Sequence, residues 1–114
     1  MANEEKSNKL GIFQARVLKV VLNLGKDQAY GVPIHEAIEK ATQQPHGIGA
    51  IYTTLGRLED KGFVHSWTGS STKERGGRAK RYYEVTGAGE QALEQMESIN
   101  DNLRSLPRPE FGIV

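Results

Sequence analysis

The chain has 114 residues, 37% hydrophobic and 25% charged, with a formal net charge of only +1; this suits one globular domain with one core and gives no overall pull towards nucleic acid. It has no cysteine, which excludes disulfides, thiolate metal sites and cysteine nucleophiles. No apolar run approaches the roughly 20 residues that span a bilayer, and the opening MANEEKSNKLG lacks the apolar stretch of a signal peptide, so a cytoplasmic protein without a membrane partner is expected.

Residues 1–8 are polar and are expected to form a flexible tail. From Leu10 to Leu24 the residues Phe13, Val17, Val20, Val21 and Leu24 recur at helical spacing, and Gly25 stands where a helix-ending glycine belongs. A second helix is predicted to start near Val32 and Pro33, with Ile34, Ala37, Ile38 and Ala41 as its buried stripe and Gln43, Gln44 and Pro45 closing it. A third covers about 47–61, stopped by Gly62. Its apolar face is Ile48, Ile51, Tyr52, Leu55 and Leu58; the opposite face holds Gly49, Ala50, Thr53 and Arg57, with Thr54 on the flank. Such a small, polar face fits closely against something.

Phe63 to Trp67 reads as a strand, residues 69–79 as a turn or loop, and Arg81 to Val85 as the returning strand. Thr86 is placed to cap a fourth helix reaching about Leu106. In that helix Ala92, Met96, Ile99, Leu103 and Leu106 are spaced four, three, four, three, a heptad-like seam. Pro107 and Pro109 end it, leaving 107–114 as a tail.

Charge is distributed unevenly. Lys73, Arg75, Arg78, Lys80 and Arg81 face only Glu74 within residues 73–81, a net +4, whereas residues 87–106 carry a net −3. A basic hairpin beside helices grips a phosphate backbone. Catalytic signatures are missing: His35, His46 and His65 are 11 and 19 residues apart, unlike a helical metal pair, and no nucleophile turn or phosphate loop occurs. No enzyme activity, metal or cofactor is expected.

Three helices followed by a β-ribbon is the winged helix-turn-helix order, in a mostly α fold with a two-stranded β-wing. The segments GAIYTTLGRLEDKG (49–62) and GGRAKRYYEVTGAG (76–89), in this order, resemble the PadR family of transcriptional regulators, specifically its small subgroup. The resemblance covers about Leu10 to Leu106. It implies a winged helix-turn-helix DNA-binding domain over 9–86 and a C-terminal dimerisation helix over 87–106, acting as a homodimeric repressor of a roughly palindromic operator. The expected DNA contacts are Gly49, Ala50, Tyr52, Thr53, Thr54 and Arg57 from the recognition helix and Lys73, Arg75, Arg78, Lys80 and Arg81 from the wing; Tyr52 is expected to be a core ring whose hydroxyl reaches a phosphate. The expected dimer seam is Ala92, Met96, Ile99, Leu103 and Leu106. Trp67 is read as an anchor of the ribbon, with an inducer site as the sharper alternative. Met96 and Ile99 are the positions for a small apolar or phenolic effector. The chain departs from the family at His46 and Gly47, where Ser or Thr often stands, which leaves a backbone-only cap; at Gly56, mid-helix; and at Ala79, where the wing often has proline. The competing reading, a winged-helix protein-interaction module without DNA binding, requires a large exposed apolar patch on the third helix or ribbon.

Overall fold

A computed structural model describes residues 9–69 and 79–107. The elements in chain order are α1 (Ile12–Leu24), α2 (Gly31–Thr42), α3 (Ile48–Asp60), β1 (Val64–Thr68), β2 (Arg81–Val85) and α4 (Gly87–Arg104). The expected architecture of helices plus a two-stranded ribbon is present. The basic residues Lys73, Arg75 and Arg78 lie outside the described residues, as do residues 1–8 and 108–114 of the two tails.

One core joins all the elements. α1 contributes Val17, Leu18 and Val21, α2 Ile34 and Ile38, and α3 Ile51, Leu55 and Leu58; Phe63, Val64 and Tyr83 close it from the ribbon, and Leu93 from α4. These positions recur at three- and four-residue steps within each helix, so each presents one apolar stripe inward. Gly25 and Gly62 both take φ 80°, and the Gly25 N–H donates to the Val21 carbonyl, as the sequence predicts for helix stops. α2 differs in detail. It starts at Gly31, and it closes with Gln43 in the left-handed region (φ 57°), whose N–H donates to the Glu39 carbonyl. Gln43 is the first of the three residues, 43–45, expected to close the helix. Ala41, predicted for the buried stripe, is exposed.

β1 and β2 pair antiparallel with Val64 opposite Val85 and Trp67 opposite Tyr82. A bridge between Tyr30 and Tyr82, with the Tyr83 N–H donating to the Ala29 carbonyl (2.9 Å), attaches a third short segment to the ribbon. That bridge fixes the ribbon to the start of α2.

Thr86 joins the ribbon to α4. Its hydroxyl accepts from the Gly89 N–H (3.1 Å) and donates to the Gly62 carbonyl (2.6 Å), and its N–H donates to the Phe63 carbonyl (2.9 Å). One threonine thus caps α4 and ties it to the end of α3. Gly89 is buried here because a Cβ would stand 2.3 Å from the Phe63 carbonyl oxygen and 2.8 Å from a Val85 methyl; only glycine permits that approach. Farther along α4, Glu97 pairs with Lys19 of α1 at 2.8 Å on an exposed surface.

Candidate nucleic-acid interface

The outward face of α3 is built by what it omits. Gly49, Ala50, Thr53, Gly56 and Arg57 are all exposed. A Cβ placed at Gly49 or Gly56 would meet nothing within 4 Å, so neither glycine is required by packing inside the chain. Gly56 nevertheless costs the helix about 0.8–1 kcal/mol relative to alanine. Arg57 makes no ion pair with another described residue, so its guanidinium is presented to solvent.

Three expectations on this helix are corrected. Thr54 is only 8% exposed and sits in the buried stripe with Ile51, Leu55 and Leu58; α1, α2 and the ribbon wrap α3 more widely than the flank position suggested, and an inward side chain cannot touch DNA. Tyr52, expected in the core, is 46% exposed. Its ring crosses to the start of α2, where a Cβ on Gly31 would stand 2.6 Å from the ring carbon that bears the hydroxyl and closer still to the hydroxyl itself. Gly31 is the vacancy that lets Tyr52 lie across the helix-turn-helix with one side open to solvent. Ile48, assigned to the apolar face, is also exposed.

The wing is anchored by rings. Trp67 stacks on its cross-strand partner Tyr82 (centroids 6.0 Å, 16° between planes), while Tyr82 meets Tyr30 (5.3 Å, 58°) and His65 meets Trp67 (5.4 Å, 31°) in tilted contacts. Lys80 Nζ lies 4.8 Å over the Tyr30 ring, a cation–π contact that holds the side chain at the base of the wing. Arg81 lies beside Tyr83. Burial pushes the Tyr83 phenol up from its ordinary value; Arg81 opposes that through its charge and a hydrogen bond, while Glu59 and Tyr52 add to it. Glu59, from the last turn of α3, accepts from the Ser66 hydroxyl at 2.8 Å. A polar seam of Glu59, Ser66, Tyr83 and Arg81 therefore couples α3 to the ribbon.

The turn entering α3 has a feature that single-residue reading missed. Gly47 caps the helix with backbone alone. The residue before it is held on three sides. The His46 N–H donates to Glu39 Oε2 (2.8 Å), the His46 carbonyl accepts from His35 Nε2 (2.6 Å), and the His46 ring stacks on Phe13 at 5.1 Å and 18°. His35 and Glu39 are four apart on α2, a spacing that places them on one face.

On α4, Leu93 is buried and Ala92 packs against the core, but Ile99 and Leu103 are 57% and 60% exposed; the helix ends at Arg104, short of the expected Leu106, which lies beyond the Ser105 cap and is 61% exposed. Two open grooves flank this helix. One, about 590 Å³, is lined by Ala15, Val20, Ile38, Leu93 and Met96 among others; the second includes Leu10, Ala92, Met96 and Ile99. Met96 and Ile99 are thus brought together, while Trp67 lines neither groove. No described helix is long and apolar enough to cross a membrane.

Comparison with known proteins agrees with this geometry. A PadR-like transcription factor from Bacteroides fragilis is 24% identical, with a TM-score of 0.69 over 82% of this chain and 84% of that one. A PadR family transcription regulator from Clostridium difficile R20291 is 21% identical, with a TM-score of 0.65 over 82% and 92%. Bacillus subtilis PadR, in complex with operator DNA, is 24% identical, with a TM-score of 0.62 over 87% of this chain and 51% of that one. These likenesses establish the winged-helix fold. No protein with a curated description matches the sequence. The sequence profile of the transcriptional regulator PadR-like family matches residues 18–95, from the middle of α1 into α4 and so across the whole helix-turn-helix and ribbon; the chain belongs to the PadR-like family of transcriptional regulators.

Proposed function

We propose that the chain is a homodimeric, sequence-specific double-stranded DNA-binding repressor. The observation that carries this reading is the outward face of α3, where Gly49, Ala50, Thr53 and Gly56 leave the backbone uncovered beside the exposed guanidinium of Arg57. Small residues allow a helix to enter a major groove closely, and an arginine there reads a guanine edge or holds a phosphate. Tyr52 adds a ring at the rim of the same face. The wing residues Lys73, Arg75, Arg78, Lys80 and Arg81 supply the phosphate-binding charge; Lys80 and Arg81 also hold the base of the ribbon through Tyr30 and Tyr83. An interaction module would need apolar cover at the centre of the α3 face, and that centre is Gly49, Thr53 and Gly56.

A second copy covers Ile99, Leu103 and Leu106, with Ala92 and Met96 completing the seam, and its α4 lies along the groove beside α1. The dimer sets the two α3 helices about one DNA turn apart, on half-sites near 10 base pairs or a multiple of that. A small apolar or phenolic effector would act at the Met96–Ile99 groove; calorimetry with a phenolic panel showing neither heat nor loss of operator binding removes this part of the reading.

The main test is anisotropy titration of labelled duplexes across salt, after selecting bound sequences from a random pool. Affinity should fall on the order of 10³-fold between about 50 and 200 mM salt if at least six phosphates are neutralised. Arg78→Ala should reduce the salt slope by about one unit, whereas Arg57→Ala should change base preference if it reads an edge. A flat salt response, or a monomer at working concentration, sinks the proposal.

A further inference from the structure

The recognition helix of this chain begins without a side-chain cap. Gly47 offers only its carbonyl, which accepts from the N–H groups of Ala50 (3.1 Å) and Ile51 (3.4 Å). The first turn contains Gly49, and neither Gly49 nor Gly47 has a side chain to lock its place. Glycine gives up the most backbone freedom on ordering, so this turn is intrinsically the loosest part of α3. Yet it holds Gly49 and Ala50, two of the positions presented to solvent.

The neighbouring helix supplies what the cap does not. Both backbone polar groups of His46 are bound by side chains of α2: its N–H by Glu39 Oε2 (2.8 Å), its carbonyl by His35 Nε2 (2.6 Å). The carbonyl can only accept, so His35 carries its proton on Nε2. His35 Nε2 also lies 3.3 Å from Glu39 Oε2, which holds the two side chains against each other. The His46 ring is fixed as well, by Phe13 of α1 on its face and by the Gln44 carbonyl, which accepts from Nδ1 at 3.1 Å. Position 46 thereby has its N–H, its carbonyl and its ring all held by other residues.

We propose that His35 and Glu39 are positioning residues for DNA reading: by clamping both backbone groups of His46 they set where α3 starts, and with it the register of Gly49 and Ala50 against the bases. The proposal rests on the DNA-binding function above. It separates two contributions that the wing and helix make together, because the clamp governs base choice and leaves the wing's phosphate contacts untouched.

The test uses the full chain. Glu39→Ala and His35→Ala should each weaken binding to a selected operator about tenfold, the size of effect of a lost helix cap. Affinity for random duplex and the salt slope should stay as in the wild type. His35→Gln, whose amide N–H reaches the same carbonyl, and Glu39→Gln, which keeps an acceptor oxygen, should restore most of the preference. Amide hydrogen exchange without DNA gives an independent reading: exchange at Ala50 and Ile51 should quicken in the alanine variants and stay unchanged at Leu58. Should an alanine variant fail to fold, Glu39→Asp, one methylene shorter, replaces it. Unchanged exchange and unchanged operator preference, in variants of a wild type that does bind DNA, overturn the inference alone. A wild type that binds no duplex overturns the DNA-binding reading, and the positioning role with it.

Discussion

α3 and α4 are both amphipathic helices, but their solvent faces differ in kind. α3 shows solvent mainly small and polar groups, Gly49, Thr53, Gly56 and Arg57, with Ile48 and Tyr52 half-exposed near its start, while Ile51, Thr54, Leu55 and Leu58 are buried within the subunit. α4 is buried only in its first half, at Gly89 and Leu93, and its second half leaves Ile99 and Leu103 in water, with Leu106 exposed just past its end. Covering one such side chain fully is worth about 1.5–3 kcal/mol, so the exposed row on α4 favours association, whereas the face of α3 gains little from apolar cover. The first surface suits a hydrophilic, charged partner. The second suits an apolar partner, the role given above to a second copy.

The largest effect that sharpens this contrast compares one leucine from each helix. Leu55→Ala, in the core, should lower subunit stability by about 2–5 kcal/mol in denaturant titration. Leu103→Ala should leave the melting of the isolated subunit nearly unchanged and weaken self-association in sedimentation. Equal effects of the two on subunit folding would erase the distinction.

Two glycines give the next comparison, with opposite signs. Gly89→Ala drives a methyl group into the Phe63 carbonyl and Val85, and should destabilise by about 1–3 kcal/mol. Gly56→Ala meets nothing, and should stabilise by about 0.8–1 kcal/mol in thermal melts. The same Gly56→Ala change should weaken operator binding if the groove approaches the backbone there. A variant both more stable and equally tight on DNA would show that this glycine serves no contact.

The smallest effect is confined to alkaline solution. Burial, opposed by Arg81, leaves the Tyr83 phenol with a raised pKa in the fold. The folded state therefore holds this proton more tightly than the unfolded chain does. Its stabilising contribution is complete below the ordinary phenol value of about 10 and is lost as pH rises through the higher folded value. Tyr83→Phe should lessen the fall in stability above about pH 10. An identical alkaline profile in the variant would place the loss on other groups.

Much of the fold was legible because its signals are local. The helices follow from apolar residues at three- and four-residue steps, their ends from Gly25, Gly62 and Thr86, and the ribbon from the strand-like runs 63–67 and 81–85 on either side of a turn-rich segment. What escaped the sequence depends on residues far apart in the chain. Tyr52 is open to solvent because Gly31, on another helix, leaves room for its ring. Thr54 turns inward because three elements wrap α3. Helical phase alone placed both on the wrong side. The Tyr30–Tyr82 bridge is a single residue pair with no alternation to announce it. The clamp on His46 joins His35, Glu39 and Phe13 from two helices, and read one at a time these residues look like an ordinary polar surface and a core ring. On the candidate site, Gly49, Ala50, Thr53 and Arg57 stand on the exposed face that periodicity assigned them.

Trp67 is the only tryptophan in the chain, and its stacking on Tyr82 in the ribbon makes it an intrinsic optical probe. Ultraviolet excitation of the indole reports on one place, the root of the wing, with no label attached. Its emission colour and intensity follow how the neighbouring rings shield it, so movement of the wing can be timed by stopped-flow fluorescence while the helices are followed separately by circular dichroism.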